Sequence, residues 1–208
     1  MKLQLPGGGG VEIDKEDYGF LQKIVNSDFV GLIGVDWIRH WRWSNLVKIA
    51  GKVRKRAEEQ NFDPKKVAPK FIREFFENAS LEENDDMQTM WANLLVNQVK
   101  DGDVNIHYLN ILKELEPTEA RLLDSLYGQS LNSINTEFEF EPIQQAFGME
   151  EVNLKVLIYK LYSFNILRPP LMSNVGFEAG GITYAPALET IKKFRFTEMG
   201  LDFCKKCN

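Results

Sequence analysis

Cysteine is nearly absent from this chain of 208 residues: the two present, Cys204 and Cys207, lie three positions apart near its end. Residues that close together on one helical face cannot staple distant segments, which excludes a disulfide framework. Histidine is as scarce, with His40 and His107 far apart and at no metal-ligand spacing. Cys204-Lys205-Lys206-Cys207 has the two-residue gap of a zinc or redox pair, but a structural zinc site takes four ligands and no second pair exists. The thiols read as packed and inert, and neither metal nor cofactor is expected.

Long apolar runs are missing too. No stretch approaches the roughly eighteen residues of a membrane-spanning helix, and the start Met1-Lys2-Leu3-Gln4-Leu5-Pro6 lacks the apolar core of a secretion signal, so a cytoplasmic protein is expected. Gly7 to Gly10 have no strand-forming run before them and no Gly-Lys-Ser/Thr after them, which excludes a phosphate-cradling loop. Residues 1–10 read as a flexible tail, since glycine loses the most backbone freedom on ordering. No local signature of a Ser-His-acid arrangement occurs either. The acids Glu82, Glu83, Asp85 and Asp86 crowd what reads as a first helical turn, where the helix dipole favours them without any catalytic role. No catalytic residue is assigned, and the chain reads as a non-enzyme.

What is present is an ordinary globular composition, 44% hydrophobic and 26% charged, which excludes wholesale disorder. The net charge of −5 is unevenly laid out. Residues 39–73 hold eleven Lys or Arg against three acids; residues 74–103 hold eight acids against Lys100 alone. Two helical layers of opposite sign, attracting each other or a partner, are the simplest account.

Periodicity predicts a mainly α protein: a helical domain over 11–103, then a winged-helix-like α+β domain over 104–208 that begins with a linking helix. In the first, helices are expected over 14–25 and 28–59, the latter continuous or broken near Ser44. Asp63-Pro64 reads as a fresh helix start, with a further boundary at Pro69. Ser80 with Glu83 fits a capping box, ahead of Met87, Met90, Trp91, Leu94 and Leu95 at i, i+3, i+4 spacing. In the second, a helix opening at 116–119 precedes a strand over 136–140, a brief helix ending near Gly148, and a helix over 150–164 with Val152, Leu157, Leu161 and Phe164 inward. An edge over 167–171, a hairpin over 176–186, a strand over 194–196 and a final helix capped by Thr197 complete the order of a winged helix.

In a DNA-binding winged helix, the helix over 150–164 would enter the major groove, with Lys155 and Lys160 as its basic contacts. Residues 104–208 carry ten bases against thirteen acids, however, and duplex affinity comes largely from neutralising phosphates. Protein contact or dimerisation is the preferred use. A second candidate surface interleaves Trp37, Trp41 and Trp43 with Arg39, Arg42, Lys48, Lys52, Arg54, Lys55 and Arg56, a composition able to stack on bases or lie at a membrane surface. Helical spacing offers a plainer account, with Trp37 and Trp41 one turn apart in the core and the bases solvated or facing the acidic segment.

Three stretches in order, Asn45-Leu46-Val47-Lys48-Ile49-Ala50-Gly51-Lys52-Val53, Pro64-Lys65-Lys66-Val67-Ala68-Pro69, and Ser80-Leu81-Glu82-Glu83 leading to Trp91-Ala92-Asn93-Leu94-Leu95, resemble the abortive-infection alpha family of bacterial proteins. The resemblance covers about residues 30–98 well. It implies a role in resistance to bacteriophage, in which an infected cell is stopped before the phage completes its cycle. It carries no catalytic residue across, and Ser80, Glu83, Trp91, Leu94 and Leu95 each have a structural use. The expectation is a defence protein that binds another macromolecule, either a protein partner or a second copy. A DNA-binding regulator and a membrane-surface effector are the alternatives.

Overall fold

The computed structural model describes residues 2–4, 10–12, 15–24, 37–131, 136–170 and 191–208. The chain divides into two compact units, Met1–Pro117 with Lys206–Asn208, and Thr118–Lys205. Among the described residues no helix is long and apolar enough to cross a membrane.

The first unit opens with β1 (Lys2–Gln4) and β2 (Gly10–Glu12), paired antiparallel with Leu3 opposite Val11. Part of the segment expected to be a tail is therefore in a ladder. Backbone groups alone make such a pairing, whatever the glycine content of the chain between them. Helix α1 (Lys15–Ile24) carries Glu16 and Asp17 in its first turn and buries Phe20 and Ile24 one turn apart. Helix α2 (Trp37–Glu59) is continuous through Ser44, and Trp43, Leu46, Ile49, Ala50, Val53 and Ala57 form its buried stripe. Residues 28–36 of the helix expected there lie outside the described residues.

Helix α3 (Pro69–Ala79) starts at the second of the two candidate prolines. The start expected at Asp63-Pro64 does not form, and Pro69 supplies the reason. It holds Ala68 extended, at φ −57° and ψ 135°, so a helix begun at Pro64 would end within a turn. Helix α4 (Asp85–Lys100) is capped by Asn84, whose side chain accepts from the Asp86 and Met87 N–H groups at 3.1 Å each. The Ser80–Glu83 capping box is thus corrected. Ser80 closes α3, its N–H bonding to the Phe76 carbonyl at 3.3 Å, and Asn84 is the polar cap nearest the next helix.

The core of this unit is the buried stripe of α2 against α4, joined by Phe71, Phe75 and Phe76 of α3, with the Phe75 and Trp91 rings edge to face at 5.5 Å. Helix α5 (His107–Glu114) buries Tyr108, Leu109, Ile111 and Leu112. Asn93 and Asn97 of α4 donate to the Cys207 and Lys206 carbonyls at 2.7 and 2.9 Å, filling helix-end acceptors that no longer have an intrahelical donor.

The second unit holds α6 (Pro117–Ser130), β3 (Phe138–Glu139), α7 (Phe140–Phe147), α8 (Glu151–Ser163), β4 (Leu167–Arg168), β5 (Lys193–Phe196) and α9 (Glu198–Cys207), with the ends of α6 and α9 shared with the first. The sheet is antiparallel with order β3-β5-β4, setting Phe138 against Phe194 and Leu167 against Phe196. The rings of Phe138, Phe194 and Phe196 meet within 6 Å beneath it. Gly148 closes α7 in the left-handed region, at φ 59°. Thr197 caps α9 as its sequence position predicts, its hydroxyl accepting from Gly200 N–H at 2.8 Å. The hairpin expected over 176–186 lies outside the described residues.

Helix α8 departs from its expected inward set. Leu154, Leu157, Ile158 and Leu161 are buried, whereas Val152 is 68% exposed and Phe164 only half-buried. Two residues turn a helix through about 200°, so Val152 stands opposite Leu154.

Candidate functional site

The basic and aromatic residues of α2 do not form one open surface among the described side chains. Trp43 is buried, and Trp41 is half-buried with its indole N–H donating to the Glu83 carboxylate. Arg42 donates through Nε to Ser80 Oγ at 2.8 Å and through Nη2 to the Glu77 carbonyl at 2.8 Å. Lys52 pairs with Asp85 at 2.9 Å and donates to Thr89 Oγ1 at 2.9 Å. Arg54 reaches Asp17 at 2.7 Å, Glu16 at 2.5 Å and Glu58 at 3.3 Å; the hydrogen bond to Asp17 leads the effects that hold its pKa above the usual arginine value.

Arg56 is half-buried, and burial lowers its pKa. Among the described side chains of the expected basic set, Lys48 and Lys55 alone are exposed, Lys55 at 3.9 Å from Glu59. Trp37 and Arg39 lie in α2, but their side chains are outside the described ones. The opposite-sign layers read from the charge runs are thus real neighbours: α2 carries the cations, while α1 and the start of α4 carry the anions.

The phrase ending at Leu95 is equally structural in position. Trp91, Leu94 and Leu95 are at most 1% exposed. Ser80 is buried and receives Arg42 on its hydroxyl and Asn45 Nδ2 on its carbonyl, at 3.1 Å. Asp85 and Asp86 occupy the first turn of α4, whereas Glu82 and Glu83 precede it. Beside them lies a cleft of about 620 Å³ lined by Leu81, Glu82, Glu83, Glu114 and Glu116 among others. Among the described residues no three His, Cys, Asp or Glu side chains converge as metal ligands would. Both cysteines are buried, and burial, aided by the charge of Asp124, pushes the Cys204 thiol pKa well above its ordinary value.

In the second unit the two lysines of α8 are engaged within the fold. Lys155 pairs with Glu151 at 2.5 Å and lies over the Phe140 ring; Lys160 pairs with Glu119 at 2.7 Å. The outward face of the helix is apolar instead. Val152, Val156 and Tyr159 are 68%, 54% and 39% exposed, and their i, i+4, i+7 spacing sets them in one row. Sequence reasoning missed this row because α8 is apolar on both sides and a single stripe does not stand out. The signal was an excess of apolar residues over what one buried face needs.

A family model described as abortive infection alpha matches residues 44–207. No curated protein and no solved structure matches the chain.

Proposed function

The chain belongs to the abortive infection alpha family, and on that premise we propose that it serves phage defence in the cytoplasm as a non-catalytic protein acting through protein contact. The observation that carries the contact is the exposed row Val152, Val156 and Tyr159 on α8. We read the second unit as a winged-helix variant from its element order, with α8 in the position of the recognition helix. That helix offers apolar side chains where a duplex binder needs cations. Its unit also has eight bases against eleven acids, a poor balance for neutralising phosphates. The basic stretch of α2 is no better suited to bases or lipid, since Trp43 is buried and Arg42, Lys52 and Arg54 are spent on internal partners.

A second copy of the chain fits the row. Antiparallel pairing of two α8 helices about an axis between Lys155 and Val156 sets Val152 of one copy beside Tyr159 of the other. Three side chains supply far less than the roughly 800 Å² per partner of a stable interface, so the association is weak and concentration-dependent.

Val156→Glu tests this reading. On an exposed position it leaves stability within about 0.5 kcal/mol, abolishes concentration-dependent association in sedimentation equilibrium, and restores phage plating on cells expressing the protein. A folded variant that still protects would refute the contact. A wild-type chain that stays monomeric while protection depends on Val156 would assign the row to a different protein.

A further inference from the structure

We propose that the outer face of the sheet is a site for a phosphate-class oxyanion, held between Arg195 and Arg168. Arg195 lies on the central strand β5 and is 8% exposed, yet its Nε and Nη2 meet no hydrogen-bond partner. Among the described residues no carboxylate lies within ion-pair distance of it. A buried, unpaired guanidinium is among the most costly groups a fold can hold.

The strand's alternation places that charge. Phe194 and Phe196 point into the core with Phe138 and Leu167, so Arg195 lies on the opposite face, directly across from Arg168 on β4. Arg168 is exposed and makes no ion pair among the described residues. Side chains so opposed start about 4.5–5.5 Å apart at Cβ, and like charges there repel. Two positions back on the same face Lys193 pairs with Glu139 at 3.1 Å, which commits that carboxylate elsewhere. Glu137, one residue before β3, is set by the register across from Arg195 on its other side, but it is exposed and no ion pair joins the two.

One oxyanion bridging the two guanidiniums removes both the repulsion and the unsatisfied donors, and their planar forks match the oxygens of phosphate. Among the described residues two cations without an ion pair face the site, and the unit is acidic, so the ligand is a small phosphate-bearing molecule rather than a long polyanion. This site is independent of the α8 row.

The test is thermal unfolding of the full chain in inorganic phosphate against chloride at equal ionic strength. Phosphate at ten times its dissociation constant raises the wild-type midpoint by about 3–6 °C, and the rise grows with the logarithm of phosphate concentration beyond that. Arg168→Gln, an exposed change, removes most of that rise. Arg195→Met melts above the wild type in chloride, because it replaces the unpaired charge with apolar volume, and ignores phosphate. A wild-type midpoint indifferent to phosphate, or an undiminished rise in Arg168→Gln, overturns the proposal whether or not Arg195→Met folds. Binding of a DNA duplex far tighter than inorganic phosphate, and lost in Arg168→Gln, overturns the assignment to a small ligand.

Discussion

Gly200→Ala and Gly128→Ala make the same chemical change in two helices, and the structure gives them opposite signs. Helix propensity alone favours each by up to about 1 kcal/mol. At Gly128, in α6, a new Cβ meets nothing within 4 Å, so the propensity gain survives. At Gly200, in the first turn of α9, the Cβ would sit 2.1 Å from the Ile166 carbonyl oxygen and 2.8 Å from its carbon. Ordinary contact is about 3.5 Å, so α9 must retreat from Ile166 by more than an ångström. That carbonyl accepts the Thr197 N–H at 3.0 Å, the Thr197 hydroxyl donates to the adjoining Asn165 carbonyl at 2.6 Å, and Thr197 is the cap of α9. Losing those bonds at about 1 kcal/mol each, together with the cap, outweighs the propensity and leaves a net loss of roughly 2–3 kcal/mol. Urea unfolding followed by far-ultraviolet circular dichroism checks both variants, with the slope against urea unchanged. A Gly200→Ala protein as stable as the parent would refute the close approach of α9 to Ile166, and a destabilised Gly128→Ala would refute the propensity argument.

Trp91→Ala is expected to cost about 3–5 kcal/mol in the same assay, since it empties a fully buried site and strips the edge-to-face contact from Phe75. Asn84→Ala should cost about 1 kcal/mol, as loss of a helix cap does; no cost would return the start of α4 to Ser80. Cys204 gives a pH dependence: its native thiol pKa is raised, so the unfolded chain releases the proton first as pH climbs past the ordinary value of 9.0. Stability should therefore fall above that pH by at most about 1.4 kcal/mol per unit from this group, and Cys204→Ala should flatten the slope between pH 9 and 10. Above pH 10 Tyr162, pushed up to about 12 by burial, adds to the fall in both proteins. An identical slope in both proteins between pH 9 and 10 would count against the buried thiol.

The sequence made legible those features that rest on local pattern. The stripe of α4, the Thr197 cap, the helix end at Gly148 and the Phe194–Phe196 strand all appear where the local pattern puts them. It misled wherever two local signals competed and a neighbour decided between them. Pro64 and Pro69 are equal as helix openers until Pro69 forces Ala68 out of helical geometry. Ser80 and Asn84 are both good caps until Ser80 is taken up by the end of α3 and by Arg42. Val152 looked inward because one apolar face was assumed for a helix that has two. The alternation Phe-Arg-Phe was visible, but the burial of the arginine between the phenylalanines is a tertiary fact with no local signature.

Charge taught the opposite lesson, since the runs read along the chain located a contact better than they located a surface. Residues 45–53 and 80–95, two of the stretches that carry the family resemblance, face each other: Asn45 bonds to Ser80, and Lys52 to Asp85 and Thr89. Just ahead of the first stretch, Trp41 bonds to Glu83 and Arg42 to Ser80. They are the two sides of one seam between α2 and the start of α4. Residues tied to each other in this way support the fold, and with Arg42, Lys52 and Arg54 engaged the helix has fewer cations left with which to hold a nucleic acid or a lipid surface. Among the described residues, unmet chemistry lies elsewhere, in the outward row of α8 and at Arg195, whose Nε and Nη2 meet no hydrogen-bond partner. Both lie within residues 44–207, the span that marks the chain as a member of its family, but outside the phrases by which that membership is easiest to see.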